Sequence, residues 1–190
     1  MNQAIGGAGY FLIQAVLTLF CLAALLRFII QAVQADFYNP ICQAIVKITD
    51  PVLKPIRMAL PTMGGMDLAA LLVALAVQVA LLMVLFSGIA PLTAVVVAPF
   101  RLLVLVFDIY FWALLIVVII SWVAPGNRHP GAMLLYQVTE PLLRPFRRII
   151  PPVGGLDFSI LAVFLLLYVV RDFLLPGLAA EFGIPRQLLR

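Results

Sequence analysis

The sequence predicts an all-α membrane protein: four transmembrane helices in two parallel repeats, each reading span, amphipathic interfacial elbow, span. Three observations predict it. The 190 residues are 65% hydrophobic and only 11% charged, with a mean hydropathy of +1.20, far outside the range of a soluble globular domain. The apolar residues gather into four runs, each close to the ~20 residues that cross about 30 Å of hydrocarbon. A proline-rich, basic stretch at residues 49–67, TDPVLKPIRMALPTMGGMD, recurs as TEPLLRPFRRIIPPVGGLD at residues 139–157. The runs read as helices, since backbone groups in lipid must be satisfied within the segment and continuous apolarity lacks the alternation of a membrane barrel.

The first span is placed at about residues 9–33. It carries Arg27, which a dozen apolar residues at about −0.5 kcal/mol each outweigh against one off-centre arginine at about +3 kcal/mol. Two readings of Arg27 stay open: an ion pair with one of the carboxylates Asp67 and Asp157, or snorkelling to the headgroups. No Lys or Arg precedes this run and no small-residue cleavage signal follows it, so no removable signal peptide is expected. Cys21 reads as packing within the run, and Cys42, just beyond it, as a partly exposed thiol with lipidation an outside option.

The first elbow covers residues 40–67. Thr49 or Asp50 is expected to cap a helix that accepts Pro51 in its first turn, where the missing amide hydrogen has no partner anyway. Pro55 is expected to kink or shorten that helix and Pro61 to stop it. Val52, Leu53, Ile56 and Leu60 are expected to face acyl chains while Lys54 and Arg57 reach headgroup phosphates. Gly64 and Gly65 supply backbone angles closed to other residues, and Asp67 stands where it caps the second span, about 68–86, at the positive end of its helix.

The second half repeats this order. Its spans fall at about 98–123 and 158–176 and its elbow at 130–157, with Pro141, Arg144, Pro145, Arg147, Pro151, Gly154, Gly155 and Asp157 in the matching places and Arg148 as an additional charge. Over positions 49–72 and 139–162 ten residues are identical at an offset of 90. Prolines and paired glycines matching in register mark a duplication, and the repeats divide the chain at residues 1–90 and 91–190. Asp108, near the start of the third span, and Arg171, near the end of the fourth, are expected at similar depth, where they clamp the second half together.

Because two spans separate the elbows, both belong on one membrane face. Their loops hold Lys47, Lys54, Arg57, Arg128, Arg144, Arg147 and Arg148, against Arg101, Arg171, Arg186 and Arg190 on the other side. That bias predicts cytoplasmic elbows and outside termini. The net charge of +4 is spread over the ends of apolar runs, which suits anionic lipid headgroups and not nucleic acid.

At these residues the chain resembles the YggT family of bacterial integral membrane proteins, whose cyanobacterial and plastid relatives are called YlmG. The resemblance rests on RFIIQAVQADFYNPI, DPVLKPIRMALPTMGGMD, IISWVAPGNRHP and TEPLLRPFRRIIPPVGGLDFS and covers nearly the whole chain. It implies a multi-pass inner-membrane protein without established catalytic residues. It also implies links to osmotic or ion stress, to nucleoid and division-site organisation, and, in a plastid relative, to assembly of haem-bearing cytochrome b6. The serine after the second motif aspartate, Ser159, has no counterpart in the first half, so any role for that hydroxyl is confined to the second.

Enzyme signatures are lacking. His129 is the only histidine and is expected to face solvent or headgroups; no haem-attachment or nucleophile motif occurs, and neither cofactor nor metal is expected. Gln31, Gln78, Asp108 and Arg171 are too few and scattered to line a pore. The expected function is a non-catalytic accessory or scaffold assisting assembly or organisation of other membrane components. The alternative is osmotic or ion-stress homeostasis, acting as or with an ion transporter. Expected partners are the bilayer, with its anionic headgroups, and another membrane protein; a homo-oligomer is compatible with four helices.

Overall fold

The computed structural model describes residues 2–60, 62, 64–86, 88–124, 126–150 and 157–189, with side chains from residue 7 onward. Pro61, Pro151, Gly154 and Gly155, expected in the elbow turns, lie outside the described residues. Among these residues seven α-helices follow in order: α1 (Asn2–Ala32), α2 (Pro40–Ala59), α3 (Leu68–Leu85), α4 (Pro91–Val123), α5 (Pro130–Ile149), α6 (Ser159–Val169) and α7 (Leu175–Glu181). A π turn at Val170–Leu174 joins the last two into one rod, and a 3-10 turn at Arg186–Leu188 follows. Among the described residues four stretches are long and apolar enough to cross a membrane: Gly7–Ala32, Leu68–Leu85, Pro91–Val123 and Ser159–Glu181.

Hydrophobicity itself cannot hold helices together in lipid, so close approach of small side chains must. Ala24 of α1 and Ala69, Ala70 and Ala74 of α3 are fully buried in one cluster with Leu25, Ile29 and Val73. Ala94 and Ala98 of α4 meet Ala179 of α7 in another. Leu114 of α4, Leu143 of α5 and Val163 of α6 form a third, beside a Phe111–Phe164 contact with ring centroids 5.2 Å apart. The short helices α2 and α5 touch each other and seat against this frame.

Several boundaries differ from expectation. α2 begins at Pro40, not at Thr49 or Asp50, because the Asn39 side chain accepts from the Ile41 amide at 2.9 Å and caps the helix about ten residues sooner. It then runs unbroken through Pro51 and Pro55. Each proline withholds a donor from the carbonyl four residues back, on Lys47 and Pro51, and both of those residues are exposed, where their carbonyls need no helical partner. Leu53 is fully buried against the bundle and does not face lipid, since it shares a helical stripe with Cys42 and Thr49. α4 starts at Pro91, a preferred first helical residue. At about 1.5 Å per residue it is some 50 Å long, so it tilts or projects beyond a 30 Å core. The fourth span continues past 176 to Glu181, because the π turn absorbs Pro176: Leu175 N donates to Val170 O, five residues back.

Candidate functional site

The first elbow is tied to the frame by a buried charge network. Thr49 points into the bundle and its hydroxyl donates to Ile45 O at 2.8 Å. That leaves its oxygen to accept from Arg27 Nη1 at 2.6 Å. The same nitrogen reaches Asp50 Oδ1 at 2.8 Å and Val46 O at 3.2 Å. Arg27 Nε stands 3.4 Å from Asp67 Oδ2 as an ionic contact whose N–H does not point at the oxygen. Asp67, 1% exposed, accepts from Ala70 N at 3.2 Å and so caps α3, and it also pairs with Arg57 through both carboxylate oxygens. Lys54 Nζ lies 3.1 Å from the other Asp50 oxygen.

Two arginines against two aspartates make the buried part of this network neutral, the condition under which burying charge is tolerable. Burial pushes the Asp50 carboxyl up, but hydrogen bonds from Arg27 and Lys54 outweigh it and hold it below the ordinary value. Every acceptor is occupied by a cation or an amide. The cluster is a pin between α1, α2 and α3.

The second elbow uses the same residue types with one absence. Thr139 is buried and donates to Leu135 O at 2.8 Å. Arg147 Nε meets Asp157 Oδ2 at 2.8 Å and its Nη1 meets Glu140 Oε2 at 2.6 Å. Asp157 Oδ1 accepts from Ser159 N at 3.1 Å and from the Ser159 hydroxyl. Burial raises the Asp157 carboxyl, and the Ser159 and Arg147 bonds bring it below its ordinary value. Where Arg27 stands in the first half, the matching position is Val117, and among the described residues no arginine of a span pairs with this elbow.

The elbows are joined directly. Asn39 Nδ2 donates to Pro130 O at 2.7 Å, and Asp36 N donates to Gln137 Oε1 at 3.0 Å. His129 accepts from Gly131 N through Nδ1 at 3.2 Å, capping α5. Of the residues expected at headgroups, Arg57 and Arg147 turn to carboxylates, Lys54 stays 73% exposed while touching Asp50, and Arg144 and Arg148 are exposed with no ion pair among the described residues. Pro51, Pro55, Pro141 and Pro145 sit on outward faces. Gly64 and Gly65 adopt φ of 60° and 81°, the left-handed region that glycine enters freely. Cys42 is 2% exposed, a correction to the expected accessible thiol: it lies on the stripe of α2 that packs inward.

At the other end of the bundle the structure gathers further polar groups around the expected Asp108 and Arg171 pair. A cavity of about 560 Å³ is lined by Gln14, Thr18 and Cys21 of α1, Gln78 of α3, Arg101 and Asp108 of α4, Arg171 and Asp172 of the π turn, and Arg186 of the tail. Arg171 Nε is 2.7 Å from Asp108 Oδ1, and its Nη1 is 3.2 Å from Asp172 Oδ1. The Asp172 carbonyl, freed because Pro176 has no amide hydrogen, accepts from Arg186 Nη2 at 3.2 Å. The tail is held over the cavity by buried Ile184 and Leu189 and by Phe182 against Phe100 at 5.7 Å. Gln31 lies instead beside the first elbow, in a second cavity of about 470 Å³ with Arg27 and Arg57.

Gln14 and Thr18 were not singled out from sequence, Cys21 was read only as packing, and Arg101 and Arg186 were read only as charges on the side opposite the elbows. A signal existed: positions 14, 18 and 21 share one face of α1, and 101 and 108 one face of α4. Among the described residues no group of three His, Cys, Asp or Glu side chains could hold a metal ion.

The sequence pattern of the CCB3/YggT family matches residues 7–90 and again residues 96–178. An uncharacterized protein of Pseudomonas aeruginosa is 42% identical over 197 residues, covering 95% of this chain and 95% of that protein. The uncharacterized protein YggT of Escherichia coli is 39% identical over 180 residues, covering 88% and 95%. An uncharacterized protein of Haemophilus influenzae is 34% identical over 163 residues, covering 86% and 89%. No solved structure matches the chain. With the family pattern met twice and relatives aligned over most of its length, the chain belongs to the CCB3/YggT family.

Proposed function

We propose that this protein is a non-catalytic accessory or scaffold of the bacterial inner membrane that helps assemble or organise other membrane components, and that its paired elbows are the docking platform. The observation that carries the reading is the division of labour among the motif cations. Arg57 and Arg147 are bound to carboxylates and rigidify the platform, while Arg144 and Arg148 are exposed, as are the apolar Met58 and Val52 of α2 and Ile149 of α5. A rigid surface mixing cations with apolar side chains suits anionic headgroups and the flank of another membrane protein.

In this reading the chain is two parallel copies of span, elbow and span, supported by the ten identities at an offset of 90 and by the twofold match to the family pattern. The basic bias of the elbow loops favours a cytoplasmic platform with both termini outside. Crosslinking in native membranes followed by mass spectrometry tests the scaffold. A reproducible membrane-protein partner that is lost in an Arg144→Glu, Arg148→Glu double variant, with insertion and folded yield intact, is the expected result. Unchanged recovery of that partner would remove the elbows from the docking role.

A second reading, ion-stress homeostasis acting as or with a transporter, is favoured by the polar cavity at the opposite end. Ion flux from proteoliposomes containing only this protein tests it, and absence of flux above empty liposomes would count against it.

A further inference from the structure

The cavity between α1, α3, α4 and the last helix holds five described charges. Arg101, Arg171 and Arg186 oppose Asp108 and Asp172, which leaves one positive charge (3 − 2 = +1). The two carboxylates converge on Arg171. Arg101 makes no ion pair among the described residues, and its Nη1 is buried without a hydrogen-bond partner. It lies ten residues into α4, about 15 Å along the axis, facing Cys21 and Gln78 half-way down α3. An uncompensated guanidinium at that depth is costly and calls for a counter-charge.

We propose that this cavity is a binding site for one oxyanion of the phosphoryl class, held by Arg101 with Arg186 closing over it. A guanidinium presents paired N–H donors that match two oxygens of one anion, which a halide does not use. The Gln14 and Gln78 amides and the Thr18 hydroxyl add neutral donors in reach of the same space. At about 560 Å³ the cavity exceeds what a simple ion fills, and Leu81, Leu85, Val104 and Leu105 give it an apolar wall suited to a glyceryl or acyl portion. A phosphodiester lipid headgroup and free phosphate or glycerol phosphate share this chemistry. The site lies at the end of the bundle away from the elbows and stands whether or not the platform docks a partner.

The test uses the full chain purified in detergent. Native mass spectrometry counts phosphatidylglycerol retained against phosphatidylcholine, and in lipid-free micelles thermal melting is followed with added inorganic phosphate or glycerol phosphate. One retained phosphatidylglycerol per chain, weakened about tenfold or more in Arg101→Gln and kept in an Arg144→Gln, Arg148→Gln variant, assigns a lipid headgroup. A melting shift with the free anions that disappears in Arg101→Gln assigns a soluble one. Should Arg101→Gln fail to fold, Arg186→Gln and the phosphatidylglycerol preference of the wild-type chain give the same reading. Equal retention of both lipids together with no response to the free anions, or binding indifferent to both arginine variants, overturns the proposal. Equilibrium binding requires no flux, so its failure is separate from that of the transport reading.

Discussion

Arg27 Nη1 and Thr49 Oγ1 lie 2.6 Å apart, joining the span-length helix α1 to the middle of α2. Because the Thr49 hydroxyl already donates backward to Ile45 O, the arginine supplies the proton its oxygen lacks, and both groups can be buried without loss. The second elbow has the threonine but Val117 in place of the arginine.

That asymmetry predicts unequal mutational costs. Arg27→Met leaves Asp50 and Thr49 short of a buried partner and is expected to destabilise by about 3 kcal/mol. Arg147→Met removes a pair whose arginine is 38% exposed and is expected to cost under about 1 kcal/mol. Denaturant titration in detergent compares them, and equal losses would mean that Arg27 is not the stronger tie.

Both cysteines are buried, Cys21 at 1% and Cys42 at 2%, and burial followed by the nearby Asp36 charge raises the Cys42 thiol above its ordinary value. Neither is therefore expected to react with a small maleimide at neutral pH in the folded protein, whereas both label in denaturant. Rapid labelling of Cys42 in native detergent solution would contradict the inward stripe of α2.

Asp50 and Asp157 are held below the ordinary value of 3.8, so the unfolded chain takes up protons first as pH falls. Their contribution is complete above about pH 4 and is lost as pH drops through the folded values. The melting temperature is expected to be level from pH 7 to about pH 5 with respect to these groups and to fall below pH 4. The acid slope should be shallower in Asp50→Asn and Asp157→Asn. An acid slope unchanged in both variants would discount the two carboxylates.

The Asp108–Arg171 pair spans α4 and the last helix at 2.7 Å, with each side chain about a third exposed to the cavity. Asp108→Asn is expected to lower the melting temperature modestly, by about 1 kcal/mol or less in free energy. The double variant with Arg171→Gln should cost less than the sum of the singles. Strict additivity in that cycle would show the two groups to be uncoupled.

The four spans were legible because apolar length is a local property, and so was the cap at Asp67, whose carboxylate stands directly before an apolar run. The start of α2 was not, since two interior prolines resemble a helix beginning when their outward placement is unknown. The cavity was less legible still. Gln14, Gln78, Arg101 and Arg186 come from four separated segments, and only the fold-back of residues 182–189 brings the last of them into place.

The central claim is that α2 and α5 meet at one end of the bundle, joined by Asn39 and Pro130 O at 2.7 Å. Single cysteines at Lys54→Cys and Arg144→Cys, each in a cysteine-free chain in oriented membranes, report it with a thiol reagent that cannot cross the bilayer. Labelling from the same side for both positions is the predicted result. Labelling from opposite sides would contradict the account.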